Sequence, residues 1–252
     1  MAESLINSIA RLRVIEKRLL TKEHIARLSA CQSYEEALRL LREAGYGQQN
    51  IDHAGEQNAP VEEDELERMI EAELSAAYAL VDELMPESRR DISDAFRLRH
   101  DIVNIKLLYK LRLLGQGLKN APLDIGGVYK REQLESGIAS GDYSFMPKQI
   151  AKELERLDVD TYYGADPKAV SIAVDNAYAA FGRAHGSAFV RRYFKALADF
   201  DNVLIVLRGG KEGFMPEGEL TEKELLSIAA LVDSAPEKAA EVIADVFTVS
   251  PL

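Results

Sequence analysis

Two polar pairs are the residues of this sequence best placed to do chemistry: Asp101 with Asn104, and Asp199 with Asn202. On a helix, a spacing of three puts a carboxylate and a carboxamide on one face, beside the apolar stripe. Such a face can meet a partner or line a cavity. It can also hydrogen-bond between helices and fix their register, because buried polar groups need partners. The second use is the one expected here. A magnesium site of the aspartate-rich helical kind needs more carboxylates than Asp199-Phe200-Asp201-Asn202 supplies.

The other reactive residue types form no constellation. His24, His53, His100 and His185 are scattered and never stand four apart beside a glutamate, so no zinc site is expected. Cys31 has no cysteine to pair with and reads as a small apolar core residue in a reducing compartment. Gly209-Gly210-Lys211-Glu212 lacks the glycine spacing and the hydroxyl of a phosphate loop, and it follows a helical pattern instead of a strand. Asp158-Val159-Asp160 begins like a calcium loop but continues with Tyr162 and a misplaced Gly164. No catalytic residue, metal or cofactor is expected.

The polar pairs belong to a longer repeat. At an offset of 98 positions Phe96 matches Phe194, Asp101 matches Asp199, Asn104 matches Asn202, and Lys110 matches Arg208, with aliphatic residues corresponding between them. Each copy ends in a glycine break, at Gly115 and Gly117 or at Gly209 and Gly210. A repeated amphipathic helix of this length indicates a duplicated helical unit.

The elements around these helices follow from apolar spacing and caps. Leu5, Ile9, Leu12, Ile15 and Leu19 predict an amphipathic helix within residues 4–29, with Thr21 capping a short continuation. Ser33-Tyr34-Glu35-Glu36 is a capping box for a helix that stops at Gly45. A polar loop spans Gln48 to Pro60. Glu62, Glu63, Asp64 and Glu65 then favour the positive end of a long helix that Pro86 terminates. The Asp101/Asn104 helix follows from about Ser88 to Leu114; at about 1.5 Å per residue it must pack lengthwise on a neighbour. Further helices are predicted from Arg131, from Pro147, and from Asp166-Pro167 to His185, before the Asp199/Asn202 helix. Thr221 to Glu224 forms another capping box, and Ser234 to Glu237 echoes Ser33 to Glu36. The expected architecture is all-α, a quasi-threefold repeat of three-helix units with long antiparallel helices. Its units are 1–118, 119–212 and an incomplete, truncated third at 213–252.

A net charge of −11 argues against a nucleic-acid binder, whose affinity rests on cations facing phosphates. It equally disfavours direct attachment to an anionic membrane surface. No stretch approaches the roughly 20 apolar residues of a membrane span, and the N-terminus lacks a secretory pattern.

Four segments, in order, resemble the C subunit of rotary V-type and A-type ATPases, known in eukaryotes as the d subunit. Ala10-Arg11-Leu12-Arg13-Val14-Ile15-Glu16 is similar to the family's Ala-Arg-Ile-Arg-x-Leu-Glu opening. Ser33 to Leu38 with Gly45-Tyr46-Gly47 resembles its Ser-x-Glu-Glu-Ala-Leu…Tyr-Gly segment. His100 to Lys106 resembles Tyr-Asp-x-x-Asn-Ile-Lys, with His100 standing in the tyrosine position. Asp199 to Arg208 resembles the later Asp-x-x-Asn-Ile…Arg.

The resemblance implies a non-catalytic adapter in the central rotor, a funnel of related helical units on the membrane ring into which the shaft plugs. Its partners would be the central-shaft subunits and the membrane rotor ring. It would be peripheral on the cytoplasmic side and monomeric in isolation. Arg11, Arg13, Glu16, Asp101, Asn104, Lys110, Asp199, Asn202 and Arg208 are its candidate structural or partner-interface residues. Two rivals are a generic helical scaffold binding a helical partner and an all-α enzyme. The first should show repeats of 30 to 45 residues, and the second a convergent cluster of acids or histidines.

Overall fold

A computed structural model describes residues 2–17, 19–47, 63–119, 121–161 and 166–248. The expected Gln48–Pro60 loop, with His53 and Glu62, lies outside them, as do Tyr162 and Gly164. Among the described residues the chain is all-helical: eleven α-helices and one 3₁₀ turn. It divides into two compact units, Met1–Ser93 and Asp94–Leu252.

The first unit holds α1 (Ala2–Glu16), α2 (Lys22–Ser29), α3 (Tyr34–Glu43) and α4 (Glu63–Leu84). The amphipathic pattern that ran through residues 4–29 is broken here, because Thr21 starts a new helix. Its hydroxyl accepts from the His24 amide, and His24 Nδ1 accepts in return from the Thr21 amide. Ser33 caps α3 through the Glu36 amide, but Glu36 reaches one residue further back than a capping box requires, to the Gln32 amide. Leu38 and Leu41 on α3 bury against Met69 on α4. The Gly45-Tyr46-Gly47 turn is held to α4 by the Gly47 amide donating to Glu73 at 2.9 Å. A side chain at Gly47 would strike Met69 Sδ, and its φ of 77° is left-handed, so both space and backbone select glycine. Ser8 and Arg11 tie α1 to the end of α4, at Leu84 and Glu83.

Pro86 ends α4 as expected, and a 3₁₀ turn (Glu87–Arg89) leads into α5 (Arg90–Leu113). The second unit continues with α6 (Arg131–Ser140), α7 (Lys148–Thr161), α8 (Pro167–Ala184), α9 (Ala188–Leu207), α10 (Glu222–Ser234) and α11 (Pro236–Thr248). Asp166 caps α8 with Pro167 in the first turn. Leu98, Ile102, Ile105 and Leu108 form the buried stripe of α5, while α6 and α7 contribute Leu134, Ile138, Ile150 and Leu154. Val203 and Val206 of α9 bury against Leu225 and Ile228 of α10. Gly209, at φ 80°, closes α9: its own amide and that of Gly210 satisfy the carbonyls of Val206 and Ile205, so the Gly-Gly-Lys stretch is a helix stop.

Two local expectations are corrected. Ser234 does not open α11; it lies in α10, where its hydroxyl donates to the Ala230 carbonyl. Cys31 is only partly buried, at the end of α2, with its thiol on the Arg27 carbonyl, so it is not a core residue.

Candidate functional site

The two Asp/Asn pairs hold the chain segment that follows their own helix. On α5, the Asn104 amide nitrogen donates to the Asp124 carbonyl at 2.9 Å, and the Asp124 amide donates back to Asn104 Oδ1 at 2.7 Å. One turn earlier, the Asp101 carboxylate accepts from the successive amides of Val128 at 2.7 Å and Tyr129 at 3.3 Å. On α9, Asn202 makes the same two-way exchange with Met215, at 2.9 and 2.7 Å. Asp199 there accepts from Glu219 and Leu220, both at 2.8 Å. All four side chains are buried, at 0%, 3%, 6% and 0% exposure in chain order.

The straps match from the Asn-bound residue onward. In each, the two amides caught by Asp lie four and five positions after the residue caught by Asn. The next residue, Lys130 or Thr221, is the N-cap of the following helix. The glycine just ahead of the first amide, Gly127 or Gly218, has no room for a Cβ against the Asp carboxylate. The clamp thus fixes where α6 and α10 begin. Register across helices, the expected use of these pairs, is replaced by a grip on backbone that would otherwise be buried without partners.

A cation one turn before each Asp completes the clamp, and sequence reasoning missed it. Arg97 donates to the Gly126 and Gly127 carbonyls at 3.0 and 2.7 Å, and its counterpart Lys195 pairs with the Glu219 carboxylate. His100 Nδ1 lies 2.7 Å from the Asp124 carboxylate, whereas its counterpart is Ala198. Burial pushes the Asp101 carboxyl up to about 6, against the pull of the two backbone amides and of His100 and Arg97. Burial also raises Asp199, against the Leu220 amide and Lys195.

A second polar group went unnoticed in the sequence. Tyr109 Oη sits 3.0 Å from Tyr143 Oη and 3.0 Å from the Leu154 carbonyl, and it contacts the Asp158 carboxylate. Tyr143 donates to the same carboxylate at 2.7 Å, and Arg112 pairs with it while lying over the Tyr109 ring. Burial raises both phenols, Tyr143 to about 12, so both remain neutral donors and neither is a nucleophile. The group ties α5 and the turn between α6 and α7 to α7 through Asp158, the residue that had resembled the start of a calcium loop.

The remaining candidates are on the surface. Arg11 pairs with Glu83 at 2.7 Å and Arg13 with Glu16 at 2.6 Å, all with side chains more than half exposed. Lys110 is exposed on α5, and Arg208 is exposed at the C-cap of α9. Arg11, Arg13 and Glu16 lie in the first compact unit, and the other six lie in the second. Among the described residues no group of three or more His, Cys, Asp and Glu could hold a metal, and no helix is long and apolar enough to cross a membrane.

These features define an all-helical protein whose buried polar groups hold its own backbone. The chain belongs to the ATP synthase (C/AC39) subunit family, whose model matches residues 8–248. It is similar to the C subunit of the A-type ATP synthase of Methanocaldococcus jannaschii, 24% identical over 245 residues that cover 89% of this chain and 58% of that protein. The chain therefore spans less than two thirds of that relative's length. No solved structure matches it.

Proposed function

We propose that this protein is a non-catalytic adapter in the central rotor of a V/A-type ATPase, coupling the central-shaft subunits to the membrane ring during ATP-linked proton or sodium transport. The observation that carries this reading is the clamp, built twice on a chain that belongs to the C/AC39 family. Torque passes through an adapter only if the connections between its long helices do not yield. Here each long helix grips the segment that opens the next one through buried bonds to backbone, which a loose loop would not provide.

The helix pairs opened by Thr21, Lys130 and Thr221 support three related units, at 1–118, 119–212 and 213–252, set around the shaft. Arg11, Arg13, Glu16, Lys110 and Arg208 are exposed charges available to neighbouring proteins of the motor, while the Asp/Asn pairs stiffen the walls. The protein would sit on the cytoplasmic face of the membrane through these partners and be monomeric when isolated.

Membranes stripped of this protein test the proposal. They should retain ATP hydrolysis by the catalytic head and lose ATP-driven ion uptake, and adding the purified chain should restore uptake. Uptake that persists in its absence would refute a coupling role.

A further inference from the structure

Between α5, α8 and α9 lies a cleft of about 330 Å³, walled on one side by Gly213 and Met215 of the second strap. Its polar lining is Arg99, Lys106, Asp175, Asn176, Asp201 and Arg208, over an apolar floor that includes Ile102, Ile172 and Leu204. Lys106 neutralises Asp175 at 2.7 and 3.0 Å. Arg99 and Arg208 both bear on Asp201, whose carboxyl is raised by burial against their pull. Three cations thus face two carboxylates, an excess of positive charge within a chain of net charge −11. Asn176 Oδ1, among the described residues, is the buried side-chain polar atom with no hydrogen-bond partner.

The charges of Arg99, Lys106 and Asp201 are not a repeated feature of the duplicated helices. At the 98-residue offset Arg99 and Lys106 correspond to Leu197 and Leu204, and Asp201 corresponds to Val103. Apolar residues serve at the matching positions of the other copy, whereas the clamp residues are kept in both. Arg99, Lys106 and Asp201 are thus charged in one copy only, while Arg208 is matched by the cation Lys110. Charged groups not repeated by the duplication yet gathered in a concave, partly apolar space are groups available for a ligand. An acceptor buried without a donor costs stability that a ligand donor would recover.

We propose that this cleft binds a small organic anion, a phosphate or carboxylate that also carries an N–H or O–H donor. The guanidinium groups of Arg99 and Arg208 meet its anionic end, which Arg can grip with paired donors. Its donor satisfies Asn176 Oδ1, and its body rests on the Ile102, Ile172 and Leu204 floor. The volume suits a ligand near the small end of the usual range, about 300 Å³ and upward. The proposal does not depend on the rotor reading, since the cleft lies within one compact unit.

Thermal unfolding of the full chain tests it, with AMP and citrate as organic probes and inorganic phosphate as the bare anion. At about ten times the dissociation constant, a bound organic anion should raise Tm by about 3–5 °C. Inorganic phosphate, lacking a body, should raise it less. The shift should vanish in the Arg99→Ala/Arg208→Ala variant, both of whose positions are exposed. It should fall in Asn176→Leu, which fills the space without offering an acceptor. The proposal is overturned if neither organic anion shifts wild-type Tm, or if the double-arginine variant keeps the shift.

Discussion

Asp101 and Asp199, 98 positions apart in sequence, each accept hydrogen bonds from two successive backbone amides of the strap that follows their helix. Each also stands against a glycine that admits no side chain. The same local solution appears on α5 and on α9, although the straps differ in length: the Asn-bound residue lies 20 positions on in one and 13 in the other. What was duplicated is a helix together with the point at which it anchors the next one.

Removing the carboxamide should therefore weaken the fold without touching its surface. Asn104→Leu and Asn202→Leu should each cost about 1–3 kcal/mol in chemical denaturation, because a buried backbone amide and carbonyl lose their partners together. Unchanged stability in either variant would place that side chain in solvent instead.

The glycine contacts give a sharper comparison. Gly127→Ala and Gly218→Ala should each destabilise by about 1–3 kcal/mol, since the new methyl must displace a buried carboxylate. Gly117→Ala meets nothing within 4 Å and should change stability by less than about 0.5 kcal/mol. Equal effects at all three positions would show that the straps are not held against the Asp residues.

Much of this was legible in the sequence, and the gaps have physical reasons. Helix type, the Thr21, Ser33, Asp166 and Thr221 caps, and the stops at Pro86 and Gly209 follow from local chemistry that sequence displays. The partners of Asp101 and Asn104 did not, because the change in strap length moves the second strap out of the 98-residue register that matched the helices. Arg97 and Lys195 escaped notice for a related reason: they act on strap atoms, and a basic residue on a helix face ordinarily reads as solvated. Thr21 marked the start of α2, but the end of α1 at Glu16 was masked by apolar spacing that continues through Leu19. Tyr109, Tyr143 and Asp158 come together only by tertiary packing, with no sequence pattern to announce them.

The pH dependence of the first clamp follows from Asp101. Its carboxyl titrates at about 6 in the folded chain and near 4 when unfolded, so the folded state holds the proton more tightly. The stability this contributes is complete below about pH 4 and is lost as pH rises through about 6. The stability advantage of wild type over Asp101→Asn should shrink by about 2–3 kcal/mol between pH 4 and pH 7.5. A difference that stays flat or grows with pH would contradict this assignment.

The surface charges should separate assembly from folding. Arg11→Ala and Arg13→Ala remove exposed ion pairs and should leave stability within about 1 kcal/mol of wild type. As candidate contacts to neighbouring proteins of the motor, they should nevertheless weaken incorporation into the membrane-bound complex, read as the fraction of chain retained on washed membranes. Full retention of both variants would remove these residues from the interface.

The most direct test of the rotor-adapter reading is recovery of partners. An affinity-tagged copy of the chain, expressed in its own cells and isolated from detergent-solubilised native membranes, should bring down both the central-shaft subunits and the membrane-ring protein in stoichiometric amounts. Isolation of the intact chain with neither would contradict the function proposed for it.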